Sequence, residues 1–234
     1  MNEIEFYNEC INRKLKLSPQ QLQKFNDYFN LLIETNKVMN LTAITNKEEV
    51  YEKHFFDSLL FSFNENLNNK KLIDVGTGAG FPGLVLAIAY PTLDVYLLEP
   101  LSKRCNFLTK VVNELHLENV HIINQRSEDY AKMNREKFDY ATARAVKRLN
   151  ILLEIVMPLV KVDGYFIALK GKQGIEEINE CKKAFLELDC EVSKIEEVNL
   201  ITNNDYRINI FIKKIKNTNK KYPRNYSQIV KKPL

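Results

Sequence analysis

The chain is 234 residues long, 45% apolar and 27% charged, the balance of an ordinary globular protein with one large core or a core plus an extension. Its apolar runs stop at about seven residues, too short to cross a bilayer, and its acidic start, MNEIEFYNEC, carries no apolar export signal, so the reading is a cytoplasmic protein with no membrane partner. The net charge of +4 is uneven: residues 206–234 hold nine Lys and Arg and no acid, while the other 205 residues hold 25 bases and 30 acids, which points to a polyanionic partner for the basic end.

Residues 1–70 read as an N-terminal helical extension. Ser18 before Pro19 is a helix start, and Leu22, Phe25, Phe29 and Leu32 then recur at helical spacing. The turn-rich NKVMNLTAITN follows. A capping-box pattern on Thr45 and Glu48 opens a helix carrying Val50, His54 and Phe61, and NENLNNK marks a boundary. From Lys71 strands alternate with helices. Strands are expected at KLIDV, DVYLLE, VHIIN, FDYATA and GYFIALK, with helices near 83–90, 102–116, 147–160 and 173–188, which is the pattern of a parallel sheet covered on both faces. Two last strands, EVSKIEEVNL and YRINIFIKKI, are joined by ITNND with no helix between them and predict an antiparallel hairpin closing the sheet edge. Residues 71–216 thus form the main domain. The basic tail 217–234 has no amphipathic period and is expected to pack on or near it.

Four of the seven glycines fall between the first strand and the first helix of this domain, in DVGTGAGFPG. Gly78, Gly80 and Gly83 fit the dinucleotide pattern GxGxxG, which would suit a nicotinamide-dependent oxidoreductase, although the match alone is weak. Asp74, Gly76, Gly78 and Gly80 fit DxGxGxG, the loop of S-adenosylmethionine-dependent methyltransferases. Charge separates the two readings. A pyrophosphate on the helix N-terminus would be opposed by the carboxylate of Asp74, whereas a sulfonium and an ammonium would be attracted to it. Phe81 and Pro82 also replace the small residues that let a dinucleotide lie flat. Glu99 ends the second strand, 23 residues beyond Gly76, where an acid can accept from both ribose hydroxyls. Ser127 and Glu128 follow the third strand, where a loop would edge an adenine. Arg144 ends the fourth, on the rim that faces the reaction.

The acceptor is constrained by absences. No NPPY-type tetrapeptide follows the fourth strand, and none of Cys10, Cys105, Cys181 and Cys190 ends strand four or five, where a pyrimidine-carbon methylase needs its nucleophile. The cysteines form no CxxC pair and read as free thiols; they and the three histidines show no metal-ligand spacing, so no metal is expected. Ring-nitrogen, hydroxyl and carboxyl acceptors remain. Nitrogen 7 of guanine carries a free lone pair and needs alignment without a general base. No catalytic base is therefore assigned; Arg144 is the first candidate for positioning the substrate, with His54 and Asp57, three apart in HFFDSL, behind it.

Taken in order, NKVMNLTAI, HFFDSL, DVGTGAGFPGLVLAIAYP, LSKRCNFL, ATARAV, GYFIALKG and the closing YPR…KKPL resemble the bacterial small-subunit ribosomal RNA guanine-N(7) methyltransferases, the RsmG or GidB family. The resemblance runs from about residue 36 to the C-terminus. It implies a class I S-adenosylmethionine-dependent methyltransferase fold, Rossmann-like, with a mostly parallel seven-stranded sheet. It also implies a monomeric cytoplasmic enzyme acting on one guanine of 16S ribosomal RNA, in the decoding-region loop linked to streptomycin sensitivity, as free RNA or within the small subunit. The family's cofactor contacts fall on Gly76, Phe81, Ser127, Glu128 and Arg144, to which the residue-level reading adds Asp74, Gly78 and Glu99. Its RNA contacts fall on Arg144, Lys170, Arg207 and Arg224; the charge of the tail adds Lys220 and Lys221. Ser127 stands where alanine is common and Ala143 where serine is common, and the tail lacks an expected glycine. A non-catalytic RNA-binding protein on the same fold and a nicotinamide-dependent oxidoreductase are the alternatives.

Overall fold

The computed structural model describes residues 1–202 and 204–234. Helices α1 (Glu3–Asn12) and α2 (Pro19–Met39) open the chain, followed by the short α3 (Lys47–Val50), which runs into a π-helical turn over Tyr51–Phe56, then α4 (Asp57–Leu59) and a 3₁₀ turn to Asn64. The main domain runs β1 (Lys71–Val75), α5 (Gly83–Ala89), β2 (Asp94–Leu98), α6 (Ser102–Glu114), β3 (Val120–Ile123), α7 (Ser127–Met133), β4 (Phe138–Arg144) and α8 (Leu149–Val156). It continues with β5 (Val160–Lys170), α9 (Gly174–Glu180), α10 (Lys182–Glu187), β6 (Cys190–Asn199), β7 (Tyr206–Lys214) and α11 (Tyr226–Lys231).

One seven-stranded sheet in the order β3-β2-β1-β4-β5-β7-β6 carries the fold. The first five strands are parallel, and β7 enters antiparallel between β5 and β6. The expected terminal hairpin is present; Asn203, inside its turn ITNND, lies outside the described residues. Because side chains alternate along a strand, neighbouring residues enter different cores. Leu72, Ile167 and Phe211 join one core with α1, α2, α5 and α6, whereas Ile73, Phe166, Ile210 and Ile212 join another with α8, Cys181, Ala184 and Ile229. The N-terminal helices thus form part of one layer over the sheet. Phe6, Phe25, Phe55 and Tyr28 interlock there as edge-on, tilted and stacked rings 5.1–6.5 Å apart.

Several local expectations are corrected. The cap before α3 is Asn46, whose side chain accepts from the Glu49 amide; Thr45 does not supply it. The α2 start is as expected, with Ser18 and Gln21 in a reciprocal capping box. The single helix expected over 173–188 breaks at Cys181 into α9 and α10. Helix α7 starts at Ser127, so SED opens a helix as well as following β3, and helix α11 lies inside the tail, where no amphipathic period is legible. Neither is longer than seven residues, so the periodicity has too few turns to register.

Candidate active site

The β1–α5 loop lies at the carboxyl ends of the parallel strands, where such sheets place ligands. Gly76, Gly78 and Gly80 all have positive φ, at +72°, +62° and +102°. A Cβ at Gly80 would meet Leu84 at 2.4 Å and the Tyr28 hydroxyl at 2.7 Å, whereas one at Gly78 would meet nothing within 4 Å and would project into open space. The loop is held from below. The Asp74 carboxylate, fully buried, accepts from the Thr77 hydroxyl (2.6 Å), the Gly83 amide (2.9 Å) and the Thr142 hydroxyl (3.1 Å). Burial pushes its pKa up to about 6 against the pull of those donors. This corrects the expectation that Asp74 attracts the methyl donor directly: it does not line the cavity above the loop, and it acts on the loop instead. The Tyr28 hydroxyl, from α2, donates to the Ala79 carbonyl at 2.6 Å. Gln21 donates to the carbonyls of Ile88 and Ala89, capping the end of α5.

Above the loop is a cavity of about 530 Å³. Gly76, Gly78, Phe81, Glu99, Ser127, Glu128 and Arg144 all line it, so the structure brings together every expected cofactor residue except Asp74. Glu99, 2% exposed, accepts from the Gly78 and Leu101 amides at 3.0 Å each, which fixes its carboxylate between the loop and α6. Glu128 is 6% exposed and accepts no hydrogen bond among the described residues, so its carboxylate opens onto the cavity with its acceptors free. A free carboxylate on a cavity wall can accept from a donor on a ligand.

The far end of the cavity is built from the N-terminal segment. Asn36 accepts from the amides of Leu41 (2.6 Å) and Thr42 (2.9 Å) and donates to the Thr42 carbonyl, which explains the pattern NKVMNLT locally. Thr42 Oγ1 then lies 2.8 Å from His54 Nε2. The His54 ring stacks on Phe81 at 4.4 Å, and the Arg144 guanidinium lies over the same Phe81 ring at 5.1 Å. Burial and the nearby Arg144 lower the His54 pKa from 6.5 to about 3, so its imidazole is neutral. His54 and Asp57 do not pair with each other. The π-helical turn sends both to Arg144, which reaches His54 Nδ1 at 3.4 Å, Asp57 at 3.5 Å and the Lys53 carbonyl at 3.2 Å. Burial lowers the Arg144 pKa while Asp57 and Asp74 support its charge.

The basic residues expected at RNA are placed differently from one another. Arg207 donates to Asp57 at 3.0 Å, and Lys170 pairs with Glu177 at 2.8 Å. Lys221 pairs with Glu187 on the surface, and Lys220 is exposed with no ion pair among the described residues. Arg224 is corrected: its backbone amide, Nε and Nη2 all donate to Glu154, a fully buried carboxylate on α8. It anchors the tail internally. That anchor brings Tyr226 onto the cavity wall, beneath Arg126. Tyr28, Thr42, Arg126, Glu154 and Tyr226 escaped the sequence reading. Only Glu154 carried a signal, a lone acid inside the apolar helix LNILLEIV.

The sequence profile of the family described as rRNA small subunit methyltransferase G, GidB, matches residues 21–205. The chain is 45% identical over 239 residues to the ribosomal RNA small subunit methyltransferase G of Lactobacillus acidophilus, covering all of both chains. It is 43% identical over 237 residues to that of Bacillus subtilis, covering 100% of this chain and 99% of the relative. Among solved structures it is similar to M. jannaschii TYW2 in complex with AdoMet, with a TM-score of 0.56 at 16% identity over 69% of this chain and 76% of that one. It is similar also to a SAM dependent methyltransferase from Aquifex aeolicus, with a TM-score of 0.53 at 17% identity over 71% and 93%. At those identities the two structures share its fold. With the family profile covering most of its length and full-length relatives above 40% identity, the chain belongs to the rRNA small subunit methyltransferase G (GidB) family.

Proposed function

We propose that the protein transfers a methyl group from S-adenosylmethionine to ring nitrogen 7 of one guanine in 16S ribosomal RNA, acting as a cytoplasmic monomer on free RNA or on the small subunit. Family membership supports the reaction class and the RNA. The observation that carries the donor assignment is the cavity over the glycine loop, with Glu99 fixed at one wall and the free Glu128 carboxylate at another. Gly76 and Gly78 would let the donor lie close to backbone, Glu99 would take the ribose, and Ser127 and Glu128 would take the adenine. Phe81 and Arg144 would border the reacting end. S-adenosylmethionine supplies an electrophilic methyl carbon. The chain's own residues bind, orient and shield it; with a lone pair already free on nitrogen 7, none has to remove a proton.

Residues 71–216 would hold the donor, residues 1–70 would brace the loop, and the tail 217–234 would complete the cavity while offering Lys220 and Lys221 to RNA. Neither the dinucleotide reading nor the non-catalytic one gains support from the family. Among the described residues no group of three or more His, Cys, Asp or Glu is placed to hold a metal ion, and no helix is long and apolar enough to cross a membrane. Mass spectrometry of ribosomal RNA from cells with and without the protein tests the proposal. One N(7)-methylguanosine of 16S ribosomal RNA should vanish in its absence; an unchanged modification profile refutes the assignment.

A further inference from the structure

A second cavity, of about 590 Å³, adjoins the donor cavity and shares His54, Arg144, Ala145, Val146 and Lys147 with it. Asp57, 5% exposed, lines this second space. Both of its arginines reach the same oxygen: Arg144 Nη1 lies 3.5 Å and Arg207 Nε 3.0 Å from Oδ2. The other oxygen, Oδ1, accepts no hydrogen bond among the described residues. Asn209 lines the same space, 2% exposed, with an amide nitrogen that finds no partner. Asp57 Oδ1 is therefore open to the cavity with its acceptor free, and the buried Asn209 amide beside it is a polar atom of the kind seldom left unsatisfied; together they mark a place for a polar ligand. Lys53, Arg148, Lys170 and Arg207 line it paired with Glu49, Glu180, Glu177 and Asp57, and Lys147 lines it with no ion pair among the described residues, a cation that suits a nucleotide phosphate.

Resting on the methyltransferase reading above, we propose that this second cavity seats the acceptor guanine and that Asp57 reads its Watson–Crick edge, Oδ1 accepting from N1–H and the exocyclic amino group. Guanine presents two donors on that edge, which a carboxylate matches. Adenine presents a lone pair at N1, which a carboxylate repels. Two guanidinium groups fix the carboxylate's orientation before the base arrives. The same contact assists the chemistry. Transfer forms the N7–carbon bond as the carbon–sulfur bond breaks, with the electron pair left on sulfur and no proton moved. Positive charge passes from sulfur to the guanine ring. N1–H becomes a stronger donor as that charge arrives, so Asp57 holds the transition state more tightly than the ground state.

The test combines Asp57→Asn with small-subunit RNA in which the guanosine that the wild-type protein methylates is replaced by inosine, which lacks the amino group. Wild-type kcat/KM should fall roughly tenfold on inosine, the worth of one hydrogen bond to a charged group. In Asp57→Asn the two arginines should hold the amide oxygen and turn its NH2 toward the base's own donors, so the variant should lose at least about tenfold on guanosine and treat the two bases alike within about twofold. Asp57→Glu, which keeps the acceptor, should retain the inosine penalty. An equal penalty in wild type and Asp57→Asn overturns the assignment, as does no penalty in wild type. Should Asp57→Asn fail to bind S-adenosylhomocysteine, and so fail to fold, Asp57→Glu decides: loss of its inosine penalty overturns the assignment. A wild-type protein that methylates no guanine sinks the methyltransferase reading itself, a separate result.

Discussion

Gly78 shows how one backbone angle can carry a site. Its φ of +62° sits where a β-branched residue is strained, yet its missing Cβ faces open cavity. Gly78→Val should therefore lower the melting temperature by only a few degrees, the effect of about 1–2 kcal/mol of backbone strain, while abolishing S-adenosylhomocysteine binding. Calorimetric titration checks it, and near-normal affinity would detach the loop from the donor. His54 makes a second prediction at this scale. Its pKa is depressed in the folded state, to about 3 from 6.5, so its contribution is present above pH 6.5 and lost as pH falls from there toward about 3. The slope is on the order of 1.4 kcal/mol per pH unit. Asp74 opposes it, since a carboxyl raised from 3.8 to about 6 favours the fold as pH drops across that interval. The difference between wild type and His54→Gln in urea titrations isolates the histidine: the stability advantage of wild type over the variant should shrink as pH falls from 6.5 toward about 3, and a difference that does not change with pH overturns it.

Elements set what those residues can do. The π-helical turn over Tyr51–Phe56 directs His54 and Asp57 to a common arginine, as such turns often do at functional sites. The tail, read from charge alone, would be an RNA contact throughout. The structure divides it: Lys220 and Lys221 are exposed, while Arg224 neutralises a carboxylate inside α8. Arg224→Ala should destabilise the protein by about 3–5 kcal/mol, because it strands a buried charge, and should weaken S-adenosylhomocysteine binding by displacing Tyr226. Neutralising Lys220 and Lys221 should do neither, and should instead flatten the salt dependence of RNA binding. Denaturant melts and filter binding across a salt series separate the two outcomes. If Arg224→Ala melts like wild type, the clamp has no structural weight.

At the scale of the whole molecule, the N-terminal helices and the glycine loop form one mechanical unit. Tyr28 holds Ala79, Gln21 caps α5, and a ring cluster centred on Phe55 seals the sheet face that α5 and α6 leave open. A fragment of residues 71–234 should lose cooperative unfolding and donor binding together, since it would expose that face to water. Tyr28→Phe should fold normally and weaken donor binding by about 1 kcal/mol, one hydrogen bond. A fragment that melts cooperatively and binds S-adenosylhomocysteine would show the helices to be dispensable.

By itself the sequence determined what depends on short range: the alternation of strands and helices, the glycine loop, the Ser18 cap and the carboxylates that follow β2 and β3. Periodicity and backbone permissiveness are written in neighbouring residues, so those features were legible. What only the tertiary structure decided depends on pairs distant in the chain. Asp74 and Thr142 stand 68 residues apart, Arg224 and Glu154 70, and Arg207 and Asp57 150. Charge alone could not tell a cation meant for RNA from one that neutralises a buried acid, because a side chain's partner is set by the sheet order that brings remote segments together.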